Sequence, residues 1–158
     1  MKIGTLQLTT PTDREVVMTR VVDAPRKLVW EAWTTPRYVQ RWMLGPEGWS
    51  MPVCEMDLRP GGKWHMVWRR ANGNEFGMDG VYKEVVPPER LVSTENWGAE
   101  WPESLNTVTF EEVDGRTTII QTCLYPTLKD RDAALQTGMA DGVVVSLDRL
   151  EELLRTMA

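Results

Sequence analysis

The sequence is poor in cysteine and in basic residues. Its 158 residues include two cysteines, Cys54 and Cys123, which lie in no CxxC or metal-ligand spacing. A disulfide scaffold is therefore not expected, and both cysteines are predicted to be reduced residues of the core. With 18 basic against 23 acidic residues the net charge is −5, which disfavours nucleic acid or an anionic membrane surface as the main partner.

Segments that would direct the chain into a membrane are also missing from the sequence. No stretch approaches the ~20 apolar residues that a membrane-spanning helix requires. The first ten residues contain one lysine and no long apolar run, which is unlike a secretory signal. We therefore expect no membrane insertion and a cytoplasmic protein.

Patterns that carry common catalytic chemistry are absent as well. His65 is the single histidine, and no companion ligands stand at metal-binding spacing from it. The chain shows no Ser-His-Asp order, no nucleophile elbow and no P-loop. Gly61 and Gly62 are typical of a turn rather than of a phosphate site. We therefore predict no cofactor, no metal ion and no recognised catalytic residue.

What is present is the balance of one globular domain, with 42% apolar and 26% charged residues. Residues 1–13 are expected to form a flexible N-terminal arm, and residues 14–158 a single domain. Apolar periodicity and turn residues predict one strand, two short helices after Pro25 and Pro36, six further strands and a long C-terminal helix from Lys129. Gly138 and Gly142 interrupt this last pattern, which predicts a bend or a separate preceding turn. The predicted strands are Glu15–Val22, Val53–Leu58, Lys63–Arg70, Glu75–Val86, Arg90–Trp97, Asn106–Val113 and Arg116–Leu124.

This order predicts an α+β fold in which a curved antiparallel sheet wraps around the C-terminal helix. Six consecutive antiparallel strands curl into a strongly twisted sheet, and an amphipathic helix has to cover its concave face. A single helix is only ~10–12 Å across, so it leaves part of that face uncovered. The uncovered part is expected to form a pocket.

Several motifs together resemble a known family. They are RVVDAP at residues 20–25, VWEAWT at 29–34, CEMDLRPGGKW at 54–64, GVYKEVVPPERLV at 80–92, and GM at 138–139 followed by Gly142 and SLDRL at 146–150. Together they resemble the heat-shock-protein ATPase activator homologue-like family of the START/Bet v 1-like (SRPBCC) superfamily. The resemblance implies a helix-grip fold with a cavity between the sheet and the C-terminal helix.

The sequence departs from the family at two positions. Val143 stands where the family usually has a tryptophan, and Met43 where a second aromatic residue is common after Trp42. Both changes replace a bulky ring by something smaller or softer. We therefore expect a pocket that differs in shape from that of the relatives, so that the identity of the ligand does not carry over.

Aromatic residues are the most informative positive feature, because eight tryptophans occur in this small domain. Rings and a few polar groups around a cavity are typical of sites for small apolar molecules, although aromatic residues also dominate ordinary cores. The sequence predicts binding of a small hydrophobic or amphipathic ligand. The predicted cavity residues are Trp42, Trp64, Trp68, Tyr82, Trp97, Trp101, Met139 and Val143.

Two alternatives use polar residues instead. An enzyme of the cyclase or hydrolase type would need an inward-facing cluster, either His65 with Arg69 or Glu55 with Asp57. Arg20 on the first strand has the chemistry to bind a ligand carboxylate, although a buried ion pair is the favoured interpretation.

Protein partners are a further alternative. The resemblance includes co-chaperone domains, but the chain has no segment resembling the additional partner-binding domain of a chaperone activator, so a chaperone partner is disfavoured. Formation of a homodimer through an exposed strand edge is a separate expectation.

Overall fold

The computed structural model describes residues 2–3 and 6–157, and within them nine strands and four helices form one α+β unit. The helices are α1 (Arg26–Thr34), α2 (Pro36–Trp42), α3 (Leu128–Leu135) and α4 (Met139–Met157). The strands are β1 (Lys2–Ile3), β2 (Leu6–Thr9), β3 (Glu15–Val22), β4 (Trp49–Met56), β5 (Lys63–Arg70), β6 (Glu75–Val86), β7 (Arg90–Glu95), β8 (Ser104–Val113) and β9 (Arg116–Leu124).

All the strand pairs are antiparallel, and the order across the sheet is β1-β2-β3-β9-β8-β7-β6-β5-β4. Strands β3, β5, β6 and β9 have the bounds that the sequence predicted. Strand β4 begins four residues earlier than predicted, at Trp49, because Pro52 is tolerated at the sheet edge. The predicted helix-grip fold is confirmed.

The N-terminal segment differs from the flexible arm that was expected. Leu6–Thr9 form strand β2, which pairs with β3 in a register that sets Leu8 opposite Met18. Leu6 and Leu8 are buried, so the alternation of leucine with Gln7 and Thr9 is a strand pattern too short to stand out in the sequence. Residues 1, 4 and 5 of the expected arm lie outside the described residues.

The C-terminal helical region is divided, as the glycine pattern predicted. Helix α3 ends near Leu135, and α4 begins at Met139 after Gly138, whose φ of 78° lies in the left-handed region. Gly142 lies within α4, where a Cβ atom would be 3.5 Å from Cδ of Pro46. The two glycines therefore differ: Gly138 turns the chain, whereas a side-chain Cβ atom at Gly142 would make ordinary contacts with the loop after α2.

The face of the sheet that carries α4 is identified by Arg20. Its guanidinium forms ion pairs of 2.8 Å with Asp148 and with Glu151, both on α4. Arg20 lies opposite Ile119 in the β3–β9 register, and side chains directly opposite each other share a face. By alternation along the strands, this helix-facing side also carries Gln121, Cys123, Asn106, Val108 and Phe110.

A sealed core lies where α1 and α4 both cover this face. Phe110 is 1% exposed and contacts the rings of Trp30 and Trp33 edge to face, with centroids 5.8 and 5.5 Å apart. Trp33 in turn contacts Trp42 at 4.7 Å. Ile119 from the sheet, and Leu147 and Leu150 from α4, complete this apolar cluster.

Strands β5 to β7 meet at an unusually close backbone approach. Nε1 of Trp64 donates a hydrogen bond of 3.1 Å to the carbonyl oxygen of Thr94 across Gly80. A Cβ atom on Gly80 would lie 1.9 Å from that same oxygen. Two residues later along β6, the register of the β6–β7 pair shifts between Tyr82 and Glu84. Gly80 therefore permits the sheet to bend sharply here.

Among the described residues, the helices are each too short or too polar to cross a membrane.

Candidate functional site

A polar cluster lies on the helix-facing side of the sheet, beside the sealed core. Asn106 on β8 is a diagonal neighbour of Glu95 on β7 and of Gln121 on β9, because Asn106 pairs with Ser93 and Cys123. All three side chains are only partly buried, although α4 covers this side of the sheet. These polar side chains therefore keep accessible surface on the helix-facing side of the sheet.

Glu95 is the centre of this cluster. Its carboxylate accepts one hydrogen bond from Nε1 of Trp97 and another from Nδ2 of Asn106. Desolvation raises the pKa of the Glu95 carboxyl from 4.5 to about 6, and the two hydrogen bonds act in the opposite direction. At neutral pH the site therefore holds a negative charge that is poorly solvated.

The neighbouring side chains are neutral. Burial raises the pKa of the Cys123 thiol and of the Tyr125 phenol well above their usual values, and the charge of Glu95 raises both further. The hydroxyl of Tyr125 donates a hydrogen bond to the sulfur of Met139 at 3.7 Å. Tyr125 thus joins the polar cluster to the first residue of α4.

Apolar groups surround the cluster at this end of the sheet. The rings of Trp97 and Trp101 contact each other with centroids 5.1 Å apart, and both are partly buried. Met139 and Val143, also partly buried, share one face of α4 because they are four residues apart. Of the eight predicted cavity residues, Trp97 binds Glu95, Trp101 contacts Trp97, and Met139 contacts Tyr125.

The other four predicted cavity residues lie deeper or farther along the sheet. Trp42, Trp64 and Tyr82 are buried core residues. The indole of Trp42 donates to the carbonyl oxygen of Ala32 at 2.9 Å. The indole of Trp68 donates to the carbonyl oxygen of Met43 at 2.8 Å, beneath the loop after α2. These indole N–H groups have backbone partners, so they are satisfied without a ligand.

The loop after α2 is fixed to α4. The backbone N–H of Gly45 donates to Oγ of Ser146 at 2.8 Å. Nη1 of Arg149 donates to the carbonyl oxygen of the same glycine at 2.6 Å. Two hydrogen bonds to one residue therefore hold this loop against the helix.

Comparison with known proteins assigns the chain to a family. The model of the activator of Hsp90 ATPase homolog 1-like (AHSA1) proteins matches residues 23–155. The chain belongs to this family. The resemblance seen in the sequence motifs is thereby confirmed.

Solved structures agree with the assignment to the AHSA1-like family. A protein from Rhodobacter sphaeroides is 25% identical, with a TM-score of 0.90 over 97% of this chain and 99% of that one. A protein from Nitrosomonas europaea is 26% identical, with a TM-score of 0.83 over 94% and 98%. An AHSA1-like protein from Aeromonas hydrophila shares the fold at 21% identity, with a TM-score of 0.72 over 87% and 93%. No curated protein matches the chain at a significant level.

Sequence reasoning missed the polar centre of this AHSA1-like site. Glu95, Asn106 and Gln121 stand at alternate positions of strands whose other helix-facing residues are largely apolar, such as Val108 and Phe110. A polar residue at an inward position is the signal that could have found them. The sequence does not reveal this signal, because the register of the sheet determines which side chains of a strand face the helix.

The polar pairs weighed for an enzyme lie on the opposite face. Glu55 and His65 are directly opposite each other in the β4–β5 register, exposed, and 3.4 Å apart. Asp57 pairs with Arg59, and Arg69 with Glu75, all at the surface. A shallow open depression of about 430 Å³ lies beside Glu55 and His65. The enzyme hypothesis built on these pairs is wrong, because the side chains do not face the space under α4.

The alternatives for Arg20 are also resolved by its contacts. Arg20 is 4% exposed, and Asp148 and Glu151 both bind its guanidinium. Two carboxylates offset the charge of one buried arginine. The favoured interpretation as a structural ion pair is confirmed, and Arg20 is not free for a ligand carboxylate.

Proposed function

We propose that this AHSA1-like protein binds a small hydrophobic or amphipathic molecule between the first turns of α4 and the polar cluster of the sheet. One observation carries the proposal. Glu95, Asn106 and Gln121 face α4 but keep accessible surface, whereas four residues farther along β8 the same face is closed over Phe110. An incompletely filled space with a few polar groups is the usual form of a small-molecule site.

The surrounding side chains suit an apolar ligand body. Trp97, Trp101, Met139 and Val143 are partly buried, so each retains apolar surface that a ligand would remove from water. Methionine adapts its shape to different partners because its side chain is unbranched and flexible. The site therefore combines rigid aromatic surfaces with an adaptable one.

Val143 stands where the resemblance to the family leads us to expect a tryptophan on the helix, and valine lacks the whole indole volume. The missing ring thus supports a larger space near the start of α4.

A fluorescent apolar probe tests the proposal. N-phenyl-1-naphthylamine is expected to bind the protein with enhanced emission and with quenching of tryptophan fluorescence. The variant Val143→Trp is expected to weaken binding about tenfold or more, since the ring would occupy the space. Val113→Trp is the matched control, because Val113 is 70% exposed on the far end of β8.

Two results would contradict the proposal. One is an unchanged probe signal with the wild-type protein. The other is equal binding by wild type and by a Val143→Trp variant that retains its cooperative thermal unfolding. Val143→Phe serves as a second, smaller obstruction if the tryptophan variant does not fold.

A further inference from the structure

Three sulfur-containing side chains stand in one row across the strands at one edge of the sheet. Cys54 on β4 lies directly opposite Met66 on β5, and Met66 lies directly opposite Met78 on β6. Residues that are directly opposite each other project to the same face, with Cβ atoms about 4.5–5.5 Å apart. The register therefore places a thiol and two thioethers side by side on three neighbouring strands.

This row lies on the side of the sheet that faces the helices. Trp68, two residues after Met66, projects in the same direction from β5, and its indole donates to Met43 in the loop after α2. Met66 is 6% exposed, whereas Cys54 and Met78 are only partly buried. A buried methionine therefore has a more accessible sulfur-containing residue on each side.

A fourth sulfur-containing side chain stands beside this row. Met56 follows Cys54 by two residues on β4, so both project to the same face, and Met56 is a diagonal neighbour of Met66. Cys54, Met56 and Met78 all pack against the hydrophobic cluster that contains Met66. We call Cys54, Met66 and Met78 the sulfur row.

Sulfur ligands select soft metal ions. Thiolates and thioethers favour Cu(I), whereas Mg²⁺ and Ca²⁺ prefer oxygen ligands. Within the described part of the chain, no group of three or more histidine, cysteine, aspartate or glutamate side chains could hold a metal ion. The sulfur row therefore suits a monovalent soft ion and offers little to zinc or to harder ions.

The spacing of the strands also suits coordination by sulfur. A metal–sulfur bond is about 2.3 Å long, so one ion joins sulfur atoms that are up to about 4.6 Å apart. Neighbouring strands are ~4.8 Å apart, and a methionine side chain has three rotatable bonds. Met66 and Met78 can therefore turn their sulfur atoms toward the shorter side chain of Cys54.

We propose that the sulfur row binds Cu(I), or its analogue Ag(I), through the thiolate of Cys54 and the thioethers of Met66 and Met78. The thiolate supplies one negative charge for the single positive charge of the ion. Cys54 is a free thiol whose pKa is raised by burial to about 11, so the metal ion replaces its proton, which leaves to solvent. Copper remains in the Cu(I) state, and no oxidant or reductant takes part.

The sequence predicted no metal ion, because its histidine and its cysteines lack metal-ligand spacing. Cys54, Met66 and Met78 follow one another at intervals of twelve residues, a spacing that brings nothing together within one helix or strand. Only the registers of the β4–β5 and β5–β6 pairs set them side by side. The sulfur row is thus a feature of the fold that local sequence patterns do not show.

Anaerobic titrations of the wild-type protein test the site. At pH 7.5 the protein is expected to remove one equivalent of Cu(I) from its coloured bicinchoninate complex, and calorimetry with Ag(I) is expected to give the same stoichiometry. Zn²⁺ at the same concentration is expected not to displace Cu(I). Absence of binding in either titration overturns the proposal.

The pH dependence of Ag(I) binding reports on the thiolate. Because one proton leaves when the ion binds, the apparent affinity is expected to rise about tenfold for each pH unit between pH 6 and pH 8. The neighbouring phenol of Tyr82 stays neutral over this range, because burial raises its pKa. An affinity that does not change with pH would contradict coordination by Cys54.

Conservative variants distinguish the sulfur row from an isolated thiol. Cys54→Ser removes the thiolate and is expected to weaken Cu(I) binding about a hundredfold or more. Met66→Leu and Met78→Leu keep the side-chain volume and are expected to weaken it about tenfold each. Cys123→Ala on β9 and Met157→Leu at the end of α4 are the matched controls outside the row, and they are expected to leave the affinity unchanged.

Two results with these variants would overturn the proposal. If both leucine variants bind Cu(I) as tightly as wild type, Cys54 acts as an isolated thiol. If Cys54→Ser keeps the affinity of wild type, the ion is bound elsewhere. X-ray absorption of the wild-type Cu(I) complex identifies the ligands without any substitution: sulfur neighbours alone at about 2.3 Å are expected, and nitrogen or oxygen neighbours would contradict the site.

Discussion

The two ends of the helix-facing sheet surface differ, although they are built from the same strands. At one end, Phe110 and Ile119 are covered by α1 and α4 and are each 1% exposed. At the other end, Asn106 and Gln121 carry oxygen atoms without partners and keep accessible side-chain surface. The first end is a sealed apolar core, and the second carries polar groups and is where we propose that a ligand binds.

The two ends differ because they are covered by different numbers of helices. Helix α1 contacts β8, β9 and α4 at the sealed end, so two helices fill the curvature there. At the other end the first turns of α4 and the loop held at Gly45 provide the cover. A single helix is narrower than the curved sheet that it covers, and our proposal places the ligand beside the helix at this end.

Truncations on α4 provide the largest expected contrast. Leu150→Ala should lower the free energy of unfolding by about 2–5 kcal/mol, because Leu150 is fully buried in the sealed core. Met139→Ala should cost roughly half of that or less, because Met139 already borders accessible space. Urea unfolding of both variants measures the contrast, and equal losses would contradict the division into two ends.

The pH dependence of stability sharpens the comparison at the polar end. The folded state holds the Glu95 proton more tightly than the unfolded state, with the pKa raised from 4.5 to about 6. Between these values the folded state binds more protons, so this group's contribution to stability falls as the pH rises. Above the folded-state pKa of Glu95 this loss in the free energy of unfolding is complete, and it amounts to about 2 kcal/mol.

Glu95→Gln isolates this contribution. The titratable groups that face Glu95, Cys123 and Tyr125, stay neutral over the range because burial raises the pKa of each. The stability of the variant relative to wild type should therefore increase by about 2 kcal/mol between pH 4 and pH 7. Unfolding titrations at several pH values measure the difference, and a constant difference would show that Glu95 is well solvated.

The two glycines near the start of α4 give the smallest expected effects, with opposite signs. Gly138→Ala should destabilise by about 1 kcal/mol, because the backbone is in the left-handed region. Gly142→Ala should stabilise by about 0.5–1 kcal/mol, because alanine favours the helix and its Cβ would meet Pro46 at an ordinary distance. Thermal unfolding distinguishes the two, and equal signs would contradict the separate tasks assigned to them.

Most of the fold could be predicted from the sequence, because it depends on local patterns. The bounds of β3, β5, β6 and β9 follow from apolar alternation and from turns such as Asn72-Gly73. Strand β2 could not be predicted, since four residues of alternation become a strand only through pairing with β3.

The site was predicted less completely. Aromatic residues could be identified, but the sequence does not show that Trp42 and Trp64 are buried in the core while Trp97 is only partly buried and binds Glu95. Glu95 appears in the sequence as one acid among 23. It becomes distinctive only when the register of β7 and β8 sets it beside Asn106 on the helix-facing side of the sheet.

A crystal structure of the protein grown with N-phenyl-1-naphthylamine tests most directly whether the space under the start of α4 accepts a ligand. The account predicts probe density in contact with Met139 and Val143 and within reach of Gln121. Density confined to the open depression near Glu55 and His65, or a helix-facing surface closed by side chains with no probe in it, would contradict the account.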